Sequence, residues 1–181
     1  MARGSKISRE ILLEAAERLV QVKGAAALTI GALAVEAGVS KGGVQTMFGT
    51  KEALILDLVR HWLDREQSEF RTTLKAQPNA DVTMVHIDQT QRLDNTSHTK
   101  IAALLAVASH SPQHAGMARD WYGERSNGFK ADTDTERQRR LAFLATEGVY
   151  FLRFLVGIEF DEAAWEDIFT DIRSLLSPKH S

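Results

Sequence analysis

Apolar residues recur along nearly the whole chain at intervals of three and four, and period-two alternation is almost absent. That spacing matches the 3.6-residue turn of an α-helix rather than the two-residue repeat of a strand. The three prolines, Pro78, Pro112 and Pro178, are expected outside the helices, where a ring without an N–H does no harm. The pattern predicts an all-α protein.

Glycines and capping residues mark where the helices stop and start. The first is expected over about 8–23, with Leu12, Ala15, Ala16, Leu19 and Val20 on one face and Gly24 as its stop. A short second helix follows Thr29 and ends at Gly38. A third runs from Ser40 to Phe48, with Gly49 behind it. Thr50 then caps a helix over 51–76, which at 1.5 Å per residue spans roughly 39 Å. That length is enough to leave one domain and enter another. Further helices are expected at about 81–93, 98–109 and 113–127. Thr133 and Glu136 stand at capping-box spacing and start a helix to about residue 158; Asp161 caps a last one to about 176. There is no internal repeat and no low-complexity segment.

Composition narrows the function classes. With 181 residues, 44% apolar and 25% charged, the chain has the make-up of a globular protein. It has no cysteine, so disulfides, zinc–thiolate sites, iron–sulfur clusters and a thiol nucleophile are excluded. The basic start MARGSKISRE leads into no apolar run, and the longest apolar stretch, 101–108, falls far short of the ~20 residues a membrane span needs. A cytoplasmic location with no membrane partner is expected. No GxSxG, HExxH, Walker A or GxGxxG motif is present, so no enzymatic activity and no cofactor are expected. His110 and His114 are four apart, but Ser111-Pro112 interrupts any helix between them and no acidic partner is near, so no metal site is expected.

The net charge of −2 argues at first against nucleic acid. It is an average over two unlike parts. Residues 1–51 carry seven basic and four acidic side chains, and the rest of the chain carries 15 basic and 20 acidic. Arg3, Lys6 and Arg9 cluster ahead of the first helix, where an arm could lie along DNA.

Residues 29–48 hold two short capped helices joined by Gly38-Val39-Ser40. This is helix-turn-helix spacing, in which the second helix is offered to a major groove. On spacing alone, any small helical bundle fits as well. The residues themselves go further. Thr29-Ile30-Gly31-Ala32-Leu33-Ala34, Ala37-Gly38-Val39-Ser40-Lys41-Gly42 and Phe48-Gly49-Thr50-Lys51-Glu52-Ala53-Leu54 closely resemble the N-terminal domain of the tetracycline-repressor (TetR/AcrR) family. The resemblance covers about residues 5–63 and does not extend by sequence over 64–181.

It implies a helix-turn-helix DNA-binding domain over 5–50 and a helical ligand-binding and dimerisation domain over 51–181, connected by the helix at 51–76. It also implies a dimeric regulator, usually a repressor, that binds a palindromic double-stranded operator and is released by a small-molecule effector. By position, the recognition helix is 40–48. Lys41, Gln45 and Thr46 are the expected base-edge or phosphate contacts, with Gln45 able to bond adenine through two hydrogen bonds. Thr29 and Lys51 match positions that usually hold DNA phosphate. Ser40, Gly42, Gly43 and Met47 complete the expected DNA-binding set. The chain departs from the family at Gln45, Thr46 and Met47, where Tyr and His are common. Gly42 and Gly43 weaken the recognition helix by about 1–2 kcal/mol against alanines. Glycine there also lets backbone approach phosphate closely.

The helix expected over 134–158 is apolar on two sides. Leu141, Leu144, Gly148, Phe151, Leu152 and Leu155 form one stripe, and Phe143, Tyr150 and Phe154 lie on another. Two buried sides need two partners. The resemblance makes one of them a second subunit, with Leu144, Gly148, Phe151, Leu155, Trp165, Phe169 and Ile172 at the dimer interface; a central helix in a monomeric bundle fits the pattern too. For the effector, Trp62, Met84, His86, Met117, Trp121 and Tyr122 supply aromatic, soft and polar groups suited to a pocket, though core residues look the same in sequence.

Overall fold

A computed structural model describes residues 8–93, 112–126 and 129–177, with side chains of the middle stretch described from residue 116. The elements are α1 (Arg9–Lys23), a 3₁₀ turn (Ala25–Ala27), α2 (Ile30–Glu36), α3 (Lys41–Phe48), α4 (Lys51–Ala76), α5 (Val82–Gln91), α6 (Pro112–Ser126), α7 (Asp134–Phe151) and α8 (Glu162–Ser174). The described residues contain no strand. The helix expected at 98–109, together with His98 and His110, lies outside them.

Side-chain caps set the starts. Ser8, Thr29, Ser40, Thr50, Asp81 and Asp161 each accept a backbone N–H from the first turn of the helix they precede. Thr133 and Glu136 form the reciprocal capping box. Each cap is worth about 1 kcal/mol. Two boundaries differ from the expectation. Pro112 is the first residue of α6 rather than outside it; at that position its missing N–H has no intrahelical partner to lose. The run expected to 158 is α-helical only to Phe151. Residues Leu152–Val156 form a π-helical turn that Gly157 closes with φ 80°. The wider turn keeps Phe154 buried while Leu155 and Val156 face out.

Two hydrophobic cores form. The first joins Leu12 and Leu19 of α1, Leu33 of α2, Val44 and Phe48 of α3, and Leu54, Leu58 and Trp62 of α4, with Met117 of α6 packed against it. It takes in the first half of α4, which a division at residue 50 leaves to the second domain. Across its edge Arg65 donates two hydrogen bonds, 2.9 and 2.7 Å, to the Glu17 carboxylate and ties α4 to α1. The second core joins Ile87 of α5, Ala142 and Val149 of α7, Phe154, and Trp165, Phe169 and Ile172 of α8. Trp165 Nε1 donates to the Gln91 carbonyl at 3.0 Å. Arg173 donates to Asp88 at 2.8 Å, binding α8 to α5.

Two sets of expected site residues are therefore placed differently. Trp62 is spent on the first core, so it lies away from the cavity described below. Trp165, Phe169 and Ile172 are buried within one subunit, so these side chains do not form an exposed face for a partner. An amphipathic stripe shows that a face is buried without showing what buries it. Phe169→Ala, which empties a fully buried ring site, is expected to destabilise the fold by about 3–5 kcal/mol. Urea unfolding followed by circular dichroism measures the change.

Candidate nucleic-acid interface and internal cavity

α3 is a short helix with two glycines, and tertiary packing holds it in place. Val44 and Phe48, one turn apart, face the first core. Gly38, at φ 67°, supplies the left-handed backbone that turns α2 into α3. Ser40 Oγ accepts from Gly43 N–H at 3.1 Å and closes the first turn. Arg9 lies across the far end of α3, stacked over the Phe48 ring, paired with Asp57 and donating to the Met47 carbonyl. It serves as a strut there, and not as part of a free arm.

Lys41, Gly42, Gly43, Gln45 and Thr46 share the exposed side of α3. Thr46 Oγ1 donates to the Gly42 carbonyl at 2.9 Å, and the Gln45 amide donates to the Gly49 carbonyl. Both can exchange these bonds for a base edge. Met47 is half-buried and packs on the first core, so it stands at the margin of this face. Thr29 caps α2 and Lys51 opens α4, so both sit at helix N-termini, where backbone N–H groups and the helix dipole favour an anion. The face is short and carries two glycines and Lys41, with Lys51 at the start of the next helix.

A cavity of about 580 Å³ lies between α4, α5, α6 and α7. His86, Trp121 and Tyr122 line it, as the sequence suggests. Met84 is half-buried elsewhere and Met117 packs on the first core. At the centre is Glu147, whose carboxylate accepts from Tyr122 Oη at 2.7 Å and bonds His86 Nε2 at 2.8 Å. His86 stacks on Phe143 with ring centres 4.5 Å apart. Burial, reinforced by the Glu147 charge, pushes the Tyr122 phenol well above its usual range, so it stays a neutral donor.

Arg125 completes the wall. Only 2% exposed, its guanidinium is sandwiched between the Phe70 and Trp121 rings, 4.2 and 3.7 Å from their centres. It donates to the Gln67 amide oxygen, to the Trp121 carbonyl at 3.3 Å and to the Glu66 carbonyl at 3.4 Å. Burial lowers it to about 10, opposed by the charges of Glu66, Glu124 and Glu147, so it remains charged at neutral pH. Glu147, Tyr150 and Arg125 were not expected in the pocket. For Glu147 a signal exists: it is one carboxylate within the aromatic stripe Phe143, Tyr150 and Phe154.

Comparison with known proteins decides what this frame is. Residues 80–177 match a family model described as the tetracycline-repressor-like C-terminal domain, and residues 12–58 match that of the bacterial regulatory proteins of the tetR family. The chain belongs to the TetR family. Its N-terminal match places the helix-turn-helix segment with bacterial regulatory proteins. An uncharacterised helix-turn-helix regulator of Bacillus subtilis, YerO, is 26% identical over 83% of this chain and 50% of its own length. The regulator BetI of Brucella canis is 30% identical over 60% of this chain and 46% of its own. The chain thus spans about half the length of these curated relatives.

The fold of this TetR-family chain is shared with a transcriptional regulator from a Rhodococcus species, with a TM-score of 0.70 at 20% identity over 94% of this chain and 96% of that one. It is shared also with the multidrug binding protein EbrR in complex with imidazole, with a TM-score of 0.66 at 21% identity over 98% and 99% of the two chains. None of the described helices is long and apolar enough to cross a membrane.

A Cβ at Gly42 would meet nothing within 4 Å, while one at Gly43 would come 3.3 Å from the capping Ser40 Oγ. Gly42→Ala is therefore expected to stabilise the free protein by about 0.5–1 kcal/mol, read as a higher urea midpoint. Gly43→Ala presses on the cap and should give less.

Proposed function

We propose that the protein is a ligand-responsive repressor that binds a palindromic operator as a homodimer. The observation that carries this reading is the exposed side of α3, with Lys41, Gln45 and Thr46 presented beside the capped start of the helix. Residues 5–50 with the start of α4 are the DNA-binding unit, and the rest of the chain is the ligand and dimer unit. Thr29, Lys41 and Lys51 hold phosphate. Gln45 and Thr46 read base edges, and Gly42 and Gly43 let the backbone come close. Met47 supports from the margin. A cytoplasmic location follows from work on DNA.

Dimerisation is supported by an unpartnered apolar surface. Leu141, Leu144, Leu152 and Leu155 stand between 43 and 56% exposed on one side of α7 and its π turn, with Gly148 exposed between them. A continuous apolar strip of this kind is costly in water and marks an interface. A second copy of the same strip covers it, and Gly148 allows close approach. Two recognition helices must also reach half-sites roughly 34 Å apart or a multiple of it, which one subunit cannot do. Phe151 flanks the strip, half-buried.

The effector site is the cavity around Glu147, with His86, Trp121 and Tyr122 in its wall. α4 joins the two functions: Trp62 and Leu58 sit in the DNA-domain core, and Glu66, Glu69 and Thr73 face the cavity one to three turns on. An effector that favours a different tilt of α4 moves α3 out of register with the half-sites. Such coupling is typically about 1–3 kcal/mol and is reciprocal.

A palindromic duplex from the promoter region beside the gene is expected to be retarded by the protein, with affinity falling steeply as salt rises. Lys51→Ala should weaken all duplexes alike, whereas Gln45→Ala should relax sequence preference. Retardation that ignores salt, or equal losses for both variants on every sequence, contradicts the assignment. Leu144→Asp is expected to convert the dimer to a monomer in sedimentation at micromolar concentration, and a dimer that persists would move the interface elsewhere.

A further inference from the structure

We propose that the cavity between α4, α5, α6 and α7 selects an aromatic monocation, its charge held by Glu147 and its ring plane by Trp121 and Tyr150. This rests on the reading of that cavity as the effector site. Three observations point to the charge sign.

First, the carboxylates outnumber the cations that face the space. Glu66, Glu69 and Glu147 line it against Arg92 and Arg125. Arg125 is withdrawn from it: the Phe70 and Trp121 rings cover the guanidinium, and its described donors go to Gln67, Glu66 and Trp121. Arg92 is exposed at the mouth. Second, Glu147 is held in place by two side chains. Tyr122 and His86 each fix one of its oxygens, so its position is set before a ligand arrives. Each oxygen keeps a further lone pair, and a carboxylate so oriented attracts a delocalised cation without needing a hydrogen bond from it. Third, the walls are π faces. Trp121, Tyr122 and Tyr150 line the same cavity as the acid, and a cation over an aromatic ring gains from the ring quadrupole, most where water is excluded. Ser68, Thr72, Thr73, Gln89 and Thr90 add uncharged polar groups to the lining, and His86 is engaged with Glu147.

An anion meets the Glu147 carboxylate, while the Arg125 guanidinium is already covered by the Phe70 and Trp121 rings. A neutral ring gains only burial. The cavity has room for two or three fused rings.

Three probes of one shape and different charge separate these cases: N-methylquinolinium, its neutral isostere 1-methylnaphthalene, and the anion 1-naphthoate. Binding is measured by equilibrium dialysis against the full chain at about 100 μM probe, and duplex affinity is measured in the same samples. The cation is expected to bind at least about tenfold more tightly than the hydrocarbon, and the anion not at all. Glu147→Gln should bring the ratio of cation to hydrocarbon affinity close to one, with circular dichroism confirming the fold. The comparison of the three probes on the unaltered protein stands whether or not that variant folds.

Equal binding of cation and hydrocarbon, preference for the anion, or no binding of any probe overturns the proposal. A charge preference that survives in folded Glu147→Gln overturns the role of Glu147. Preferential binding of the cation with no change in duplex affinity supports the cation site and overturns the reading of the cavity as the effector site, so the two failures are distinct.

Discussion

The structure depends on α4 being shared. Its first half completes the core under the helix-turn-helix, through Leu54, Leu58, Val59 and Trp62; its second half presents Phe70, Glu66 and Thr73 to the cavity and its buried arginine. A helix of 26 residues is stiff on the scale of these contacts. A rotation or tilt imposed at Phe70 must therefore appear at Trp62 and Leu58, where the packing is dense and gives little. The Glu17–Arg65 pair fixes the midpoint. It is bidentate and Glu17 is buried, so sliding α4 along α1 would strip a desolvated carboxylate of its partner. These contacts leave a swing about that point open, with the pair keeping α1 and α4 together.

α6 adds a second tie between the two ends. Met117 packs against the first core, while Trp121 and Arg125, one and two turns on, belong to the cavity wall. Arg125 is the costly element of this arrangement. A guanidinium nearly removed from water keeps its charge because aromatic faces, an amide and two carbonyls replace the solvent. Three of those groups, Phe70, Gln67 and the Glu66 carbonyl, are on α4. Any ligand that displaces Trp121 therefore disturbs the contacts that hold α6 to α4.

How much of this was legible in the sequence follows from what a sequence encodes locally. Starts of helices were legible because a cap is a one-turn interaction: Thr29, Ser40, Thr50, Asp161 and the Thr133–Glu136 box all bond as their spacing implies. The outward side of α3 was legible because Val44 and Phe48 leave no choice of inner face. Partners were not. Trp62 reads as a pocket residue and Trp165, Phe169 and Ile172 as an interface, since an apolar stripe carries no address. The π turn after Phe151 was hidden for a related reason: one extra residue rotates the stripe without breaking the run of apolar residues. Half the pocket was legible, because His86, Trp121 and Tyr122 are unusual in type. Glu147 needed one further step, the question of why a carboxylate interrupts an aromatic stripe.

The recognition helix is the least self-sufficient element of the molecule, and that bears on how regulation reaches DNA. Two glycines lower its intrinsic stability, and eight residues are too few to hold a helix in water without support. Its order comes from Val44 and Phe48 in the core, from the Ser40 cap, and from Arg9 braced between Phe48 and Asp57. Asp57 is on α4. The brace thus links the far end of α3 to the same helix that faces the cavity, five residues before Trp62. A tilt of α4 acts on α3 through a salt bridge at its end and a packed face along its side, so the helix moves with α4 rather than unravelling. On the proposed mechanism, loss of DNA binding would then be a change in the spacing of two intact reading helices.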